Sequence, residues 1–268
     1  MSAETIAADF EAAAVEAALA GGEVLRRRFR EKGRLRVEAK GLHDFVTEVD
    51  RESEAAVVAR LRRRYPDHAI LAEEGAPATA GAALRWIVDP LDGTTNFIHG
   101  VPTFCVSVAL EDASGLLAGA IFDPVHGETF RARRGGGAWL GADRIACSRP
   151  SGADEALLAT GFPFRELGRL DRYLRSFEAF ARMAAGIRRA GSAALDLALT
   201  ACGRYDGFWE IGLSPWDVAA GALLVREAGG LVTDVSGGPD FLSGGTILAA
   251  GPDLHAAMLA VTRVAFGD

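Results

Sequence analysis

Trp86-Ile87-Val88-Asp89-Pro90-Leu91-Asp92-Gly93-Thr94-Thr95-Asn96 is the stretch from which the rest of the chain is read. Leu84 to Val88 is a short apolar run with strand character, expected to end at Asp89-Pro90 because proline has no N–H to continue a ladder. Asp92-Gly93-Thr94-Thr95 then reads as a helix start with Asp92 at the N-cap. Two carboxylates, the Leu91 carbonyl and free helix N–H groups are thereby pinned within one turn. Oxygen donors of that kind suit an octahedral cation, and a helix N-terminus suits a phosphate. Asp-Gly is also a common turn and Asp a common cap. The strand before the run and Thr-Thr after it make the whole more restrictive than either half.

Outward from this point, the apolar runs Phe104–Leu110 and Leu116–Phe122 predict an antiparallel hairpin, which Glu128–Arg133 extends before a tight Gly135-Gly136-Gly137 turn. Upstream, residues Ala3 to Arg30 predict an amphipathic helix with Ile6, Phe10, Ala17, Leu25 and Phe29 on its buried side. Thr47 caps a second helix that runs to Tyr65 and stops at Pro66. Beyond Cys147, helices near Arg169–Ala185, Ala193–Ala201 and Pro215–Ala228 alternate with strands at Leu157–Thr160, Asp206–Glu210, Leu231–Asp234 and Ile247–Ala250. The expectation is an α/β protein: an α+β half over residues 1–147, an α/β half over 148–268, and a site in the cleft between them.

Composition narrows the function. The 268 residues are 49% apolar and 24% charged, the profile of an ordinary soluble globular chain. A formal charge of −7 argues against a nucleic-acid groove, and the clusters Arg26–Arg28 and Arg62–Arg64 read as solvated helix faces. Cys105, Cys147 and Cys202 have no pairing or zinc spacing, which suits a reducing cytoplasm. No secretory signal and no membrane-spanning apolar run is found, so a cytoplasmic protein is expected. The five histidines have no metal spacing, and neither a Gly-x-Ser-x-Gly elbow nor a Gly-x-x-x-x-Gly-Lys loop is present.

Other acids are ambiguous on their own. Glu73-Glu74 follows a short apolar segment and alone reads as a solvated loop. Asp217 follows Ser214-Pro215-Trp216, where Ser at N-cap and Pro at N1 make it a capping-box acid. Asp50 in Thr47-Glu48-Val49-Asp50 has the same reading. Their convergence decides. Asp44-Phe-Val-Thr-Glu-Val-Asp50, Glu73-Glu74, Asp89-Pro-Leu-Asp-Gly-Thr-Thr-Asn96, Gly191-Ser-Ala-Ala-Leu-Asp196, Trp209-Glu-Ile-Gly-Leu-Ser-Pro-Trp-Asp217 and Glu227-Ala-Gly-Gly230 occur in the order of one family's motifs. The chain resembles the inositol monophosphatase family, its bacterial members most of all.

That resemblance implies a layered αβαβα sandwich with Glu73, Asp89, Leu91 (through its carbonyl), Asp92 and Asp217 around two or three Mg²⁺ ions, with Mn²⁺ as a substitute. Two carboxylates about 4 Å apart repel by roughly 4 kcal/mol at an effective dielectric near 20, so such a cluster needs cations. All-oxygen donors favour Mg²⁺ or Mn²⁺ over zinc. The implied reaction is hydrolysis of a phosphorylated polyol, myo-inositol monophosphate first, by in-line attack of a metal-activated water. Thr94 orients the water and Asp50 takes its proton. Asp92, Gly93, Thr94, Thr95, Gly191, Ser192, Ala193 and Glu210 contact substrate, and Asp44 and Lys40 tune the first metal position. Ser192 lacks a base partner and is not read as a nucleophile. A homodimer and lithium sensitivity come with the same resemblance. The rival expectations are a fructose-1,6-bisphosphatase, histidinol-phosphatase or 3′-phosphoadenosine phosphatase, or a regulatory binding protein on the same fold.

Overall fold

In the computed structural model, which describes residues 3–31, 37–41, 44–75 and 82–267, α1 (Ala3–Arg30) leads to a short antiparallel pair, β1 (Val37–Gly41) and β2 (Asp44–Thr47), and then to α2 (Glu48–Arg64). Next come β3 (Ala69–Ala72), β4 (Arg85–Asp92), the short α3 (Thr94–Ile98) and a meander of β5 (Cys105–Asp112), β6 (Gly115–Asp123), β7 (Glu128–Arg133), β8 (Gly137–Leu140) and β9 (Asp143–Ile145). The chain continues through β10 (Leu157–Thr160), α4 (Leu170–Met183), β11 (Gly186–Arg188), α5 (Ala193–Ala201), β12 (Gly207–Ile211), α6 (Pro215–Glu227), β13 (Leu231–Thr233), β14 (Thr246–Ala250) and α7 (Pro252–Phe266).

Strands β3 to β9 form a seven-stranded sheet in chain order, antiparallel except for the parallel β3–β4 pair. A mixed five-stranded sheet has the order β11-β10-β12-β14-β13. Burial of apolar faces stacks these sheets between helices. Phe10, Ala14, Ala17 and Leu25 of α1 and Val49, Val57 and Leu61 of α2 pack on Trp86, Val88, Val106 and Phe122 of the larger sheet. Its other face shares a core with α5, α6 and the inner face of the smaller sheet. On that sheet's outer face, Tyr173 and Phe180 of α4 and Leu254 and Met258 of α7 meet Trp209, Ile211 and Leu248. The layers therefore run helix, sheet, helix, sheet, helix, and α5 and α6 carry their N-termini into the space between the sheets.

Local chemistry accounts for most boundaries. Thr47 caps α2 by accepting from Val49 N–H (3.1 Å), and Asp50 Oδ2 returns the bond to Thr47 N–H (2.8 Å). In α1, Glu11 is 4% exposed and accepts from Arg131 and Arg133 of β7, fastening the helix to the sheet. Gly22 lets α1 reach the sheet, since a Cβ there would lie 2.2 Å from the Phe122 ring. The Gly135–Gly137 turn is tied down by Glu227, whose carboxylate accepts from both of those N–H groups at 2.8 Å. All three cysteines are free thiols.

Three expectations need correction, and one helix adds to those expected. Pro90 does not end its strand: β4 runs on to Asp92, with Asp89 opposite Ser107 and Asp92 opposite Cys105. Three steps on β4 thus face two on β5, a bulge that absorbs the missing proline donor. Ile6 is 39% exposed, because packing of α1 begins a turn later at Phe10. Arg28 is only partly solvated and pairs with Glu48, whereas Arg62, Arg63 and Arg64 are exposed as expected, Arg64 pairing with Asp9 on the surface. Helix α7 was missed, although Pro252 at its first turn and the buried spacing Leu254, Met258 are legible start and face signals.

Candidate active site

Asp89, 1% exposed, stands on the bulged end of β4 and accepts from the Leu91 N–H (3.0 Å). The Pro90 carbonyl is held by Ser53 Oγ of α2 (2.7 Å), which locks the bulge to the helix layer behind it. Asp92 follows, 9% exposed. It is not the cap of α3. That position belongs to Gly93 in the left-handed region (φ 100°), where a Cβ would lie 2.8 Å from the Thr103 carbonyl. Asp92 instead reaches across the cleft, and its Oδ2 accepts from Ser192 Oγ (2.6 Å) and from Ala194 N–H (2.7 Å) at the start of α5. A carboxylate at that helix start is favoured by the unpaired N–H groups and the helix dipole.

Asp217 enters from α6, where its Oδ2 accepts from the Ser214 N–H (2.7 Å). Asp89, Asp92 and Asp217 offer carboxylate oxygens that all lie within 4.8 Å of one another. Glu73 lies outside that group of three but lines the same cavity. Its N–H donates to the Val88 carbonyl (3.2 Å), which sets it beside Asp89, and its Oε1 is 3.8 Å from Arg165. The Leu91 carbonyl accepts from Thr94 Oγ1 (3.0 Å), and the same hydroxyl lies 2.9 Å from Asp50 Oδ1. Asp50 is fully buried behind Thr94, off the cavity wall, and takes two further donors from Thr47.

The cavity, about 340 Å³, is lined by these groups together with Gly93, Thr95, Gly191, Ser192, Ala193, Glu210 and Leu213. Burial, then the neighbouring carboxylates Glu73, Asp92 and Asp217, push the Asp89 carboxyl well above the usual range. Asp217 is raised by burial and by Asp92, and Glu210 is pushed up to about 8 by burial, Asp217 and Asp92. So much confined negative charge calls for a counter-cation. The donors fit a hard divalent ion, being all oxygen with no Cys or His in the group. Ser192 uses its hydroxyl hydrogen on Asp92 and accepts from Leu195 N–H, which leaves it a cap rather than a nucleophile. The side chains of Lys40 and Asp44 lie outside the described residues.

Sequence reasoning missed several groups at the site. Phe164, Arg165 and Arg189 form one wall of the cavity, with the Arg189 guanidinium 5.3 Å from the Phe164 ring and 5.9 Å from Phe162. Nothing local to the sequence marks these arginines. Asn96 belongs to the quoted stretch but received no role. Its Nδ2 lies 2.7 Å from the Thr103 carbonyl, 2.9 Å from Ala190 and 3.3 Å from Gly191, tying α3 to the loop before α5.

Comparison with known proteins identifies the family. A family model described as "Inositol monophosphatase family" matches residues 7–265. The Pseudomonas aeruginosa protein named "Nus factor SuhB" is 49% identical over 251 residues, 92% of this chain and 93% of that one. The "Inositol-1-monophosphatase" of Mesorhizobium japonicum is 42% identical over 250 residues, 93% of this chain and 94% of that one. The crystal structure of extragenic suppressor protein suhB from Bartonella henselae superposes with a TM-score of 0.90 at 40% identity, covering 94% of this chain and 97% of that one.

Proposed function

The chain belongs to the inositol monophosphatase family, and on that premise we propose that it catalyses magnesium-dependent hydrolysis of a small phosphate monoester, myo-inositol monophosphate first. The observation that carries this reading is the buried trio Asp89, Asp92 and Asp217, three carboxylates from one strand and one helix start meeting within 4.8 Å on the cavity wall. Two or three Mg²⁺ ions, or Mn²⁺ in their place, would be held by these acids with Glu73 and the Leu91 carbonyl. Bound there, they would lower the pKa of an attacking water and neutralise charge on the phosphoryl oxygens.

The chain's own groups supply the rest. Thr94 Oγ1, between the Leu91 carbonyl and Asp50, orients the water for in-line attack and passes its proton to Asp50. Asp50 is suited to take it because burial raises its carboxyl above the ordinary value. The N–H groups of Gly93, Thr94 and Thr95 offer fixed donors to the phosphate. Gly191, Ser192 and Ala193 shape the wall beside the polyol, and Glu210 accepts from its hydroxyls. The test is phosphate release from inositol 1-phosphate with and without Mg²⁺, with Asp92→Asn as control. Release should require Mg²⁺ and fall at least a hundredfold in the variant; equal turnover in the variant removes the assignment.

A second reading keeps the chemistry and changes the substrate. Arg165 and Arg189 on the outer wall favour a substrate with a second anionic group, such as fructose 1,6-bisphosphate. A panel of inositol 1-phosphate, fructose 1,6-bisphosphate, histidinol phosphate and 3′-phosphoadenosine 5′-phosphate ranks the two. The Pseudomonas relative's name, Nus factor, supports a regulatory binding role on the same fold. A pull-down compared between wild type and Asp92→Asn separates that role from catalysis. A homodimer, lithium inhibition and a cytoplasmic location complete the proposal. Among the described residues no helix is long and apolar enough to cross a membrane.

A further inference from the structure

Gly161 is the first residue after β10, and it is buried. Its neighbour Thr160 pairs with Trp209 in the parallel β10–β12 ladder, so Gly161 is at the level of Glu210 on the adjacent strand. A Cβ built on Gly161 would lie 2.0 Å from Glu210 Oε1, 2.1 Å from its carboxyl carbon and 2.3 Å from Oε2. The whole Glu210 carboxylate therefore rests in the space that any other residue at 161 would fill. The backbone does not demand glycine here, because Gly161 is not among the residues with positive φ. Space is the demand. Both residues line the same cavity.

We infer that Gly161 is a positioning residue for substrate selection: its missing side chain holds the Glu210 carboxylate at the place where it reads the substrate's hydroxyls. This rests on the reading of Glu210 given above. The group that must yield to a Cβ is the tip of a flexible side chain rather than backbone, so Gly161→Ala costs little in folding. To reach ordinary contact the carboxylate must retreat by more than about 1 Å, a displacement large enough to weaken recognition.

The test compares wild type, Gly161→Ala, Glu210→Gln and the double variant on two substrates. One is myo-inositol 1-phosphate; the other, p-nitrophenyl phosphate, has no hydroxyl beside its ester. The ratio of kcat/KM between them should fall about fivefold in Gly161→Ala, mainly through KM for the inositol ester. The melting temperature should stay within about 2 °C of wild type, and the double variant should select no worse than Glu210→Gln alone, since one acts through the other. If Glu210→Gln lowers the ratio and a folded Gly161→Ala does not, the inference is overturned. An additive loss in the double variant overturns it as well. If Glu210→Gln leaves the ratio untouched, the reading of Glu210 falls and takes the inference with it. No phosphate release from either ester by wild type refutes the phosphatase reading itself.

Discussion

In the proposed site Asp92 uses one carboxylate for two tasks. Both of its hydrogen bonds from the start of α5 fall on Oδ2, so Oδ1 is the oxygen left for the proposed cation. Thr94 is simpler, because its hydroxyl has one hydrogen and two acceptors, Asp50 and the Leu91 carbonyl. Replacing it tests the proton path without uncapping a long helix. Thr94→Ala is expected to lower kcat by roughly 10²–10³, within the range of positioned acid–base groups, with KM changed less than about threefold. A variant that keeps a third of wild-type kcat would reduce Thr94 to a helix-start hydroxyl. Asp50→Asn should show the same kcat loss and in addition melt lower, since Asp50 also closes the capping box of α2 and a lost cap costs about 1 kcal/mol.

At the scale of elements, the site depends on how α3 meets the loop before α5. Asn96 spans that junction with one amide nitrogen facing three carbonyls. Asn96→Ala leaves part-buried carbonyls without a donor, at a cost of about 1–3 kcal/mol. For a chain of this size that corresponds to a fall of roughly 2–10 °C in melting temperature. The same variant is expected to raise KM for inositol 1-phosphate, because the Gly191–Ala193 wall loses its anchor. Melting indistinguishable from wild type would show that the junction is held by packing alone. Asn96 was visible in the quoted stretch, but its partners are not: Ala190 and Gly191 lie far away in the chain, and only the approach of α5 to β4 brings them near.

The whole molecule concentrates acids between its two sheets, and that has a consequence for stability. Burial and neighbouring carboxylates push Asp92 up to about 6, Asp217 to about 7 and Glu210 to about 8. A carboxyl whose folded pKa lies above its unfolded value stabilises the fold at low pH, and that contribution is lost as pH rises through the folded value. The metal-free protein is therefore expected to lose melting temperature from about pH 4 to about pH 8, the interval between ordinary carboxyl values and the highest of these. Mg²⁺ should offset the loss increasingly as pH rises. At a hundredfold excess over Kd the gain is about 2.7 kcal/mol, or roughly 5–10 °C. Scanning calorimetry from pH 5 to 8 with chelator or Mg²⁺ checks both signs. A metal-free protein that gains stability toward pH 8 would contradict the charged cavity.

By itself the sequence determined what is local. The cap at Thr47, the Ser214-Pro215 helix start, the hairpin from Cys105 to Asp123 and the periodic face of α1 each depend on residues a few positions apart, and each is present. The family motifs told which acids to gather, and Asp89, Asp92, Asp217, Glu73 and Glu210 do line one cavity. Tertiary structure decided the rest. It continued β4 through the bulge past Pro90, sent Asp92 to α5 instead of α3, and set Arg165 and Gly161 against acids distant in the chain and Arg189 against the rings of Phe162 and Phe164. Those outcomes follow from how two sheets bury their apolar faces against α5 and α6, and such stacking joins segments that no short-range pattern relates.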